Sequence, residues 1–142
     1  MRSIFADTSY WIATINPKDH LHDRAMFVVR QLGTFRLITS DMILVEVLNA
    51  LAEWGEYIRR TAIDAVQAIT EDAATEVVPQ TRHLFQDAFG LYRRRLDKSW
   101  SLTDCASFII MDKYGIIEAL TYDIHFIQKG YAALLRENQH QV

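Results

Sequence analysis

Four short apolar runs, Ser3–Ala6, Arg36–Thr39, Thr75–Val78 and Ile117–Thr121, are separated in this chain by segments whose apolar residues recur every three or four positions. Short hydrophobic runs alternating with amphipathic helices predict strands joined by helical crossovers, and such crossovers build a parallel sheet with helices on both faces. Leu21, Ala25, Val28, Val29 and Leu32 mark one helical stripe, which Gly33 stops. After Ser40 as N-cap, Leu44, Val47, Leu48 and Leu51 mark another, in a helix running to about Trp54 and Gly55. Helical spacing continues over 56–73 through Ile58, Ala62 and Ile69, and over 81–96 through Leu84, Ala88 and Leu91. Ser101 and Asp104 have the spacing of a capping box and open the apolar helix Cys105–Met111, ending near Gly115, which is expected to be central and buried. A short helical piece reaches Lys129. The expected architecture is one three-layer α/β/α domain over 1–137 around a parallel sheet of four to five strands, with a polar, fraying tail at 138–142.

A chain of 142 residues with half its residues apolar should bury roughly 68–70% of its unfolded surface, enough for a sizeable core. Two prolines, five glycines and 23% charged residues exclude the disordered, collagenous and linker-rich classes. The lone Cys105 has no disulfide partner and cannot build a cysteine-based zinc site; its apolar surroundings predict a buried, inert thiol. Asp7 interrupts what a secretory leader would need as an apolar run, and no segment reaches the roughly 18 apolar residues of a membrane span, so a cytoplasmic location without membrane contact is expected. Fifteen Lys and Arg against eighteen Asp and Glu give a net charge of −3, so any nucleic-acid partner needs a local basic patch.

Particular acids fall at particular places on this map. Asp7 ends the first strand, Asp104 begins the apolar helix, Asp123 follows the fourth strand, and Glu46 interrupts the run Met42–Leu48. In an open parallel α/β sheet, ligands sit beyond the carboxyl ends of the strands where strand order reverses. If the first and fourth strands are neighbours, a spacing of about 4.8 Å brings Asp7 and Asp123 within reach of one ion. Clustered carboxylates repel and take up protons unless a divalent cation neutralises them, and an oxygen-rich set without a histidine cage suits Mg²⁺ or Mn²⁺ better than zinc. Each acid also has a purely structural use: Asp7 and Asp123 as N-caps, Asp104 as the reciprocal member of the capping box, and Glu46 on a polar stripe with Asn49 and Glu53.

These residues resemble a known family. Ile4-Phe-Ala-Asp7-Thr8-Ser9, Ser40-Asp-Met-Ile-Leu-Val-Glu46-Val-Leu-Asn49, Ser101-Leu-Thr103-Asp104-Cys-Ala-Ser107-Phe and Ala119-Leu-Thr121-Tyr-Asp123-Ile-His-Phe126 are similar, in this order, to the four motifs of PIN-domain ribonucleases. Within that family the likeness is to the VapC-like toxins of prokaryotic toxin–antitoxin pairs. The resemblance implies a PIN-like, Rossmann-like sheet between helices, and an acidic site of Asp7, Glu46, Asp104 and Asp123 holding Mg²⁺ or Mn²⁺ for hydrolysis of RNA phosphodiester bonds. Thr8, Ser9 and Thr103 are the candidates for supporting that site. A small antitoxin whose segment occupies the acidic groove, and a homodimer, are implied partners. His125 stands where the family often has a second acid or Asn, and the resemblance carries no metal role to it.

Arg93, Arg94 and Arg95 with Lys98 form the densest basic run and are the candidate RNA contacts, although successive residues spread around a helix rather than share one face. Two alternatives stay open on the residues: a PIN-like module that binds RNA or protein without cutting, and a phosphatase of the haloacid-dehalogenase type. The latter normally needs a second Asp where this chain has Ser9.

Overall fold

The computed structural model describes residues 1–136; the expected tail at 138–142 and the domain limit at 137 lie outside the described residues. Chain order is β1 (Arg2–Ala6), α1 (Thr8–Ile15), α2 (His22–Gln31), β2 (Phe35–Ser40), α3 (Asp41–Ala50), α4 (Glu56–Glu71), β3 (Thr75–Val78), α5 (Arg82–Arg94), α6 (Leu102–Tyr114), β4 (Glu118–Leu120), α7 (Ile124–Lys129) and β5 (Ala132–Ala133). The five strands form one parallel sheet in the order β3-β2-β1-β4-β5, flanked by helices in an α/β/α arrangement.

β1 is central because it is apolar on both faces: Ile4, Phe5 and Ala6 are all fully buried. It pairs with β2 through Phe5↔Ile38 and with β4 through Phe5↔Ala119 and Ala6↔Leu120, so the chain departs to opposite sides of β1. The order therefore reverses beside β1, and the crevice beyond the carboxyl ends of β1 and β4 is where such sheets place ligands. The Asp7 amide donates to the Leu120 carbonyl (3.2 Å), extending the β1–β4 ladder by one residue and fixing Asp7 at the mouth of that crevice.

α6 carries the core between the sheet and α5. Both halves of its capping box are formed: Ser101 Oγ accepts from the Asp104 amide (2.9 Å), and Asp104 Oδ2 accepts from the Ser101 amide (3.0 Å). Cys105, Ala106, Phe108, Ile110 and Met111 are buried, and the thiol of Cys105 is pushed up by that burial, as befits an inert core residue. The Phe108 ring packs edge-on against Trp100 and against Phe126, each at 5.0 Å between centroids, which ties α7 and the segment leading into α6 to α6 itself.

Two elements differ from the sequence reading. The helix expected to reach Trp54 ends at Ala50, where short-range bonds from Ala52 to Asn49 and from Trp54 to Leu51 tighten the last turn. Gly55 then takes φ 95°, which reverses the chain direction into α4. The fifth strand is too short for any periodicity, yet the amides of Ala132 and Leu134 donate to Ile117 and Ala119, completing the sheet edge.

Candidate active site

The carboxyl end of the sheet opens into a depression of about 350 Å³ lined by Asp7, Glu46, Asp104, Asp123 and His125, with Ile12 as an apolar wall. Four acids from four separate stretches of the chain thus face one space. Asp7 arrives on the end of β1, Glu46 from the middle of α3, Asp104 from the first turn of α6, and Asp123 from the residue preceding α7.

Each carboxylate is held by a specific neighbour. The Thr121 hydroxyl donates to Asp7 Oδ2 (2.7 Å) and itself accepts from the Asp123 amide (3.0 Å), so one buried hydroxyl fixes the spacing of two acids. Asp7 also precedes α1, but its side chain makes no capping bond to that helix. The Thr8 hydroxyl donates to Glu46 Oε1 (2.6 Å), and Ser9 Oγ accepts from the Tyr122 amide (3.2 Å), so both hydroxyls anchor the walls of the depression. Asp123 Oδ1 caps α7 through the His125 amide (2.9 Å). Thr103 lies apart from this space, lining an adjoining depression of about 320 Å³ that shares Glu46.

Asp7 is 6% exposed and Asp104 7%, unusual for carboxylates without a paired cation. Burial pushes the Asp7 carboxyl up to about 7, against the pull of the Thr121 hydroxyl and the Thr8 amide; the charges of Asp104 and Asp123 push it further. Burial likewise raises Asp104, opposed by the Ser101 amide and His125, with Asp123 adding to the rise. Such a cluster resists full ionisation unless positive charge enters it. Among the described residues, no Lys or Arg lines the depression. The unpaired oxygens, Asp104 Oδ1, Asp123 Oδ2 and Glu46 Oε2, accept no hydrogen bond from the described residues and face accessible space. An accessible, oxygen-rich, anionic pocket fits a hard divalent cation.

His125, to which the sequence reading gave no metal role, is a member of this site. Its Nδ1 lies 2.8 Å from Asp104 Oδ2, and one ligand atom from each of Asp104, Asp123 and His125 lies within 4.8 Å of the others. Asp7 and Glu46 line the same space but stand outside this tight triad.

Two members of the basic run are engaged within the chain. Arg95 makes a two-pronged ion pair with Asp97 (2.9 Å each) while its guanidinium lies over Trp100, and the Arg93 guanidinium lies over Phe89. None of Arg93, Arg94, Arg95 and Lys98 is among the described residues lining the depression.

A parallel sheet with an acidic crevice at its switch point defines the class of open α/β proteins whose site lies beyond the strand ends, and comparison with known proteins narrows it. The PIN domain model matches residues 4–130, and the chain belongs to the PIN domain family. The chain is 29% identical over 137 residues, 94% of its length and 99% of theirs, to the 23S rRNA-specific endonuclease VapC20 of two Mycobacterium tuberculosis strains, CDC 1551 / Oshkosh and H37Rv. The crystal structure of M. tuberculosis VapC20, described as a sarcin-ricin loop cleaving toxin, matches with a TM-score of 0.81 at 30% identity over 91% of this chain and 96% of that one. The family agrees with the resemblance read from the four motifs and sets aside the haloacid-dehalogenase-type reading.

Proposed function

We propose that this protein is a divalent-metal-dependent endoribonuclease, the toxin of a toxin–antitoxin pair, and that its substrate is ribosomal RNA. The observation that carries this reading is the convergence of Asp7, Glu46, Asp104 and Asp123 on one depression beyond β1 and β4. The near-complete alignment with VapC20 supports the substrate class.

Asp104, Asp123 and Asp7 would hold the ion, and Glu46, fixed by Thr8, would ligate it or orient the attacking water. The bound ion supplies an acidified water, neutralises phosphate charge and stabilises the departing alkoxide. The chain's own contribution is preorganisation: Thr121 sets Asp7 and the Asp123 backbone in register, and Ser101 sets Asp104, before substrate arrives. No side-chain nucleophile is required, and Cys105 is fully buried.

RNA is held away from the acids by exposed cations. Arg93 and Arg94, both exposed near the end of α5, and half-buried Lys98 are the members of the basic run that make no ion pair within 4 Å among the described residues, whereas Arg95 is paired with Asp97. A small antitoxin covers the acidic groove when toxin activity is silenced, and the toxin is a homodimer.

The test is cleavage of ribosomal RNA by the purified chain with Mg²⁺ or Mn²⁺ and with EDTA, alongside Asp104→Asn. Metal-dependent cleavage lost in Asp104→Asn supports the reading. RNA binding without metal-dependent turnover makes the chain a binding module and overturns it. Charge reversal at Arg94 is expected to lower the salt slope of RNA binding by about one phosphate contact.

A further inference from the structure

His125 is the one pocket residue that the acidic motifs leave without a task, and its placement is that of a ligand. Nδ1 lies 2.8 Å from Asp104 Oδ2 and 3.3 Å from Asp123 Oδ1. Adjacent donors in an octahedral shell with bonds of about 2.0–2.1 Å are separated by about 2.9 Å, which these two distances bracket. The opposite ring nitrogen, Nε2, lies 3.4 Å from Ser99 Oγ. Ser99 is a long-range outer partner for the far nitrogen, while Nδ1 rests against Asp104 Oδ2 in a hydrogen bond that a divalent ion held by both groups would replace. The ring is also tethered, because the His125 amide is fastened to Asp123 Oδ1 and the next residue, Phe126, is fully buried.

The rival role is a hydrogen bond from Nδ1 that merely orients Asp104, leaving a shell of oxygens alone. The two roles differ in metal preference. Mg²⁺ demands oxygen donors and gives up water reluctantly, whereas imidazole nitrogen suits the transition series. Resting on the metal-dependent reading above, we infer that His125 Nδ1 is a direct ligand of the divalent ion, giving the pocket a mixed oxygen–nitrogen shell that favours a transition ion such as Mn²⁺ over Mg²⁺.

The experiment titrates the full chain with MnCl₂ in the absence of RNA, follows binding by electron paramagnetic resonance, and records nitrogen hyperfine coupling by pulsed methods on protein with natural and ¹⁵N-labelled histidine. The expected result is a directly bound nitrogen whose coupling changes with the label and vanishes in His125→Asn. That variant should still bind Mn²⁺ through its carboxylates, but the Mg²⁺ needed to displace half of the Mn²⁺ should fall about tenfold or more. Mn²⁺ bound to wild type without histidine coupling, or a coupling that persists in His125→Asn, or equal Mn²⁺/Mg²⁺ selectivity in the two proteins, overturns the inference while leaving the metal-dependent reading standing. Absence of any Mn²⁺ binding to the wild type overturns both. The labelled wild-type measurement decides the question even if the variant folds poorly.

Discussion

Replacing Asp7 with Asn should make the protein more stable in the presence of EDTA, although the replaced residue is central to the site. The carboxyl of Asp7 is raised from 3.8 to about 7 by burial, with Asp104 and Asp123 adding to the rise. A group whose folded value lies above its unfolded value contributes stability that is complete below about 3.8 and is lost as pH rises through about 7. Three units at about 1.4 kcal/mol each set an upper bound of ~4 kcal/mol on that loss. Asn keeps an acceptor oxygen for the Thr121 hydroxyl, which stands at 2.7 Å, and carries no charge to desolvate. Urea unfolding in EDTA, followed by tryptophan fluorescence, should show wild type weakening between about pH 4 and pH 7 and the variant weakening distinctly less, since only the raised Asp104 remains in it. At about pH 8 the variant should lead by 2–4 kcal/mol, and at about pH 4 the two should coincide. Mn²⁺ at about a thousandfold excess over its Kd for wild type should erase the variant's lead, since wild type then gains about 4.1 kcal/mol of binding free energy. A variant less stable than wild type in EDTA at the higher pH would refute the claim that burial strains this carboxylate.

Three further outcomes follow from individual contacts. Ser101→Ala removes the acceptor for the Asp104 amide (2.9 Å) and should cost about 1 kcal/mol in urea melts, with a matching loss of Mn²⁺ affinity as Asp104 loosens. Phe108→Ala empties the space between Trp100 and Phe126 and should destabilise by about 3–5 kcal/mol in the same melts. Thr121→Val leaves Asp7 and the Asp123 amide without their shared hydroxyl, and calorimetry should show at least about tenfold weaker metal binding while Thr121→Ser retains most of it.

The parts of the fold that follow from local periodicity were legible in the sequence, and those made by distant contacts were not. β1 could be read as a strand, though not as the central one, because Ile4, Phe5 and Ala6 form an unbroken apolar run, and the start of α6 because Ser101 and Asp104 carry the box spacing. Glu46 drew notice as an acid inside an apolar run, but its partner Thr8 is 38 residues away in sequence. The hydroxyl that orders the site, Thr121, reaches Asp7 across 114 residues, a pairing that only the β1–β4 register creates. His125 was noticed as a departure in the fourth motif, but its contact was not legible: the turn of chain after Asp123 brings its ring back onto Asp104, 21 residues earlier. The basic run shows the converse, since Arg93 and Arg95, close in sequence, are drawn to Phe89 and Trp100 on different surroundings.

The most direct measurement is the rate of phosphodiester cleavage in ribosomal RNA by wild type, Asp7→Asn and Asp104→Asn, each confirmed folded, across a titration of Mn²⁺ or Mg²⁺ after EDTA stripping. The account predicts a wild-type rate that rises and saturates with added ion, fragments free of 2′,3′-cyclic phosphate because water is the attacking group, and loss of at least about a hundredfold in both variants. Cleavage that persists in EDTA, or survives either substitution at the wild-type rate, would contradict it.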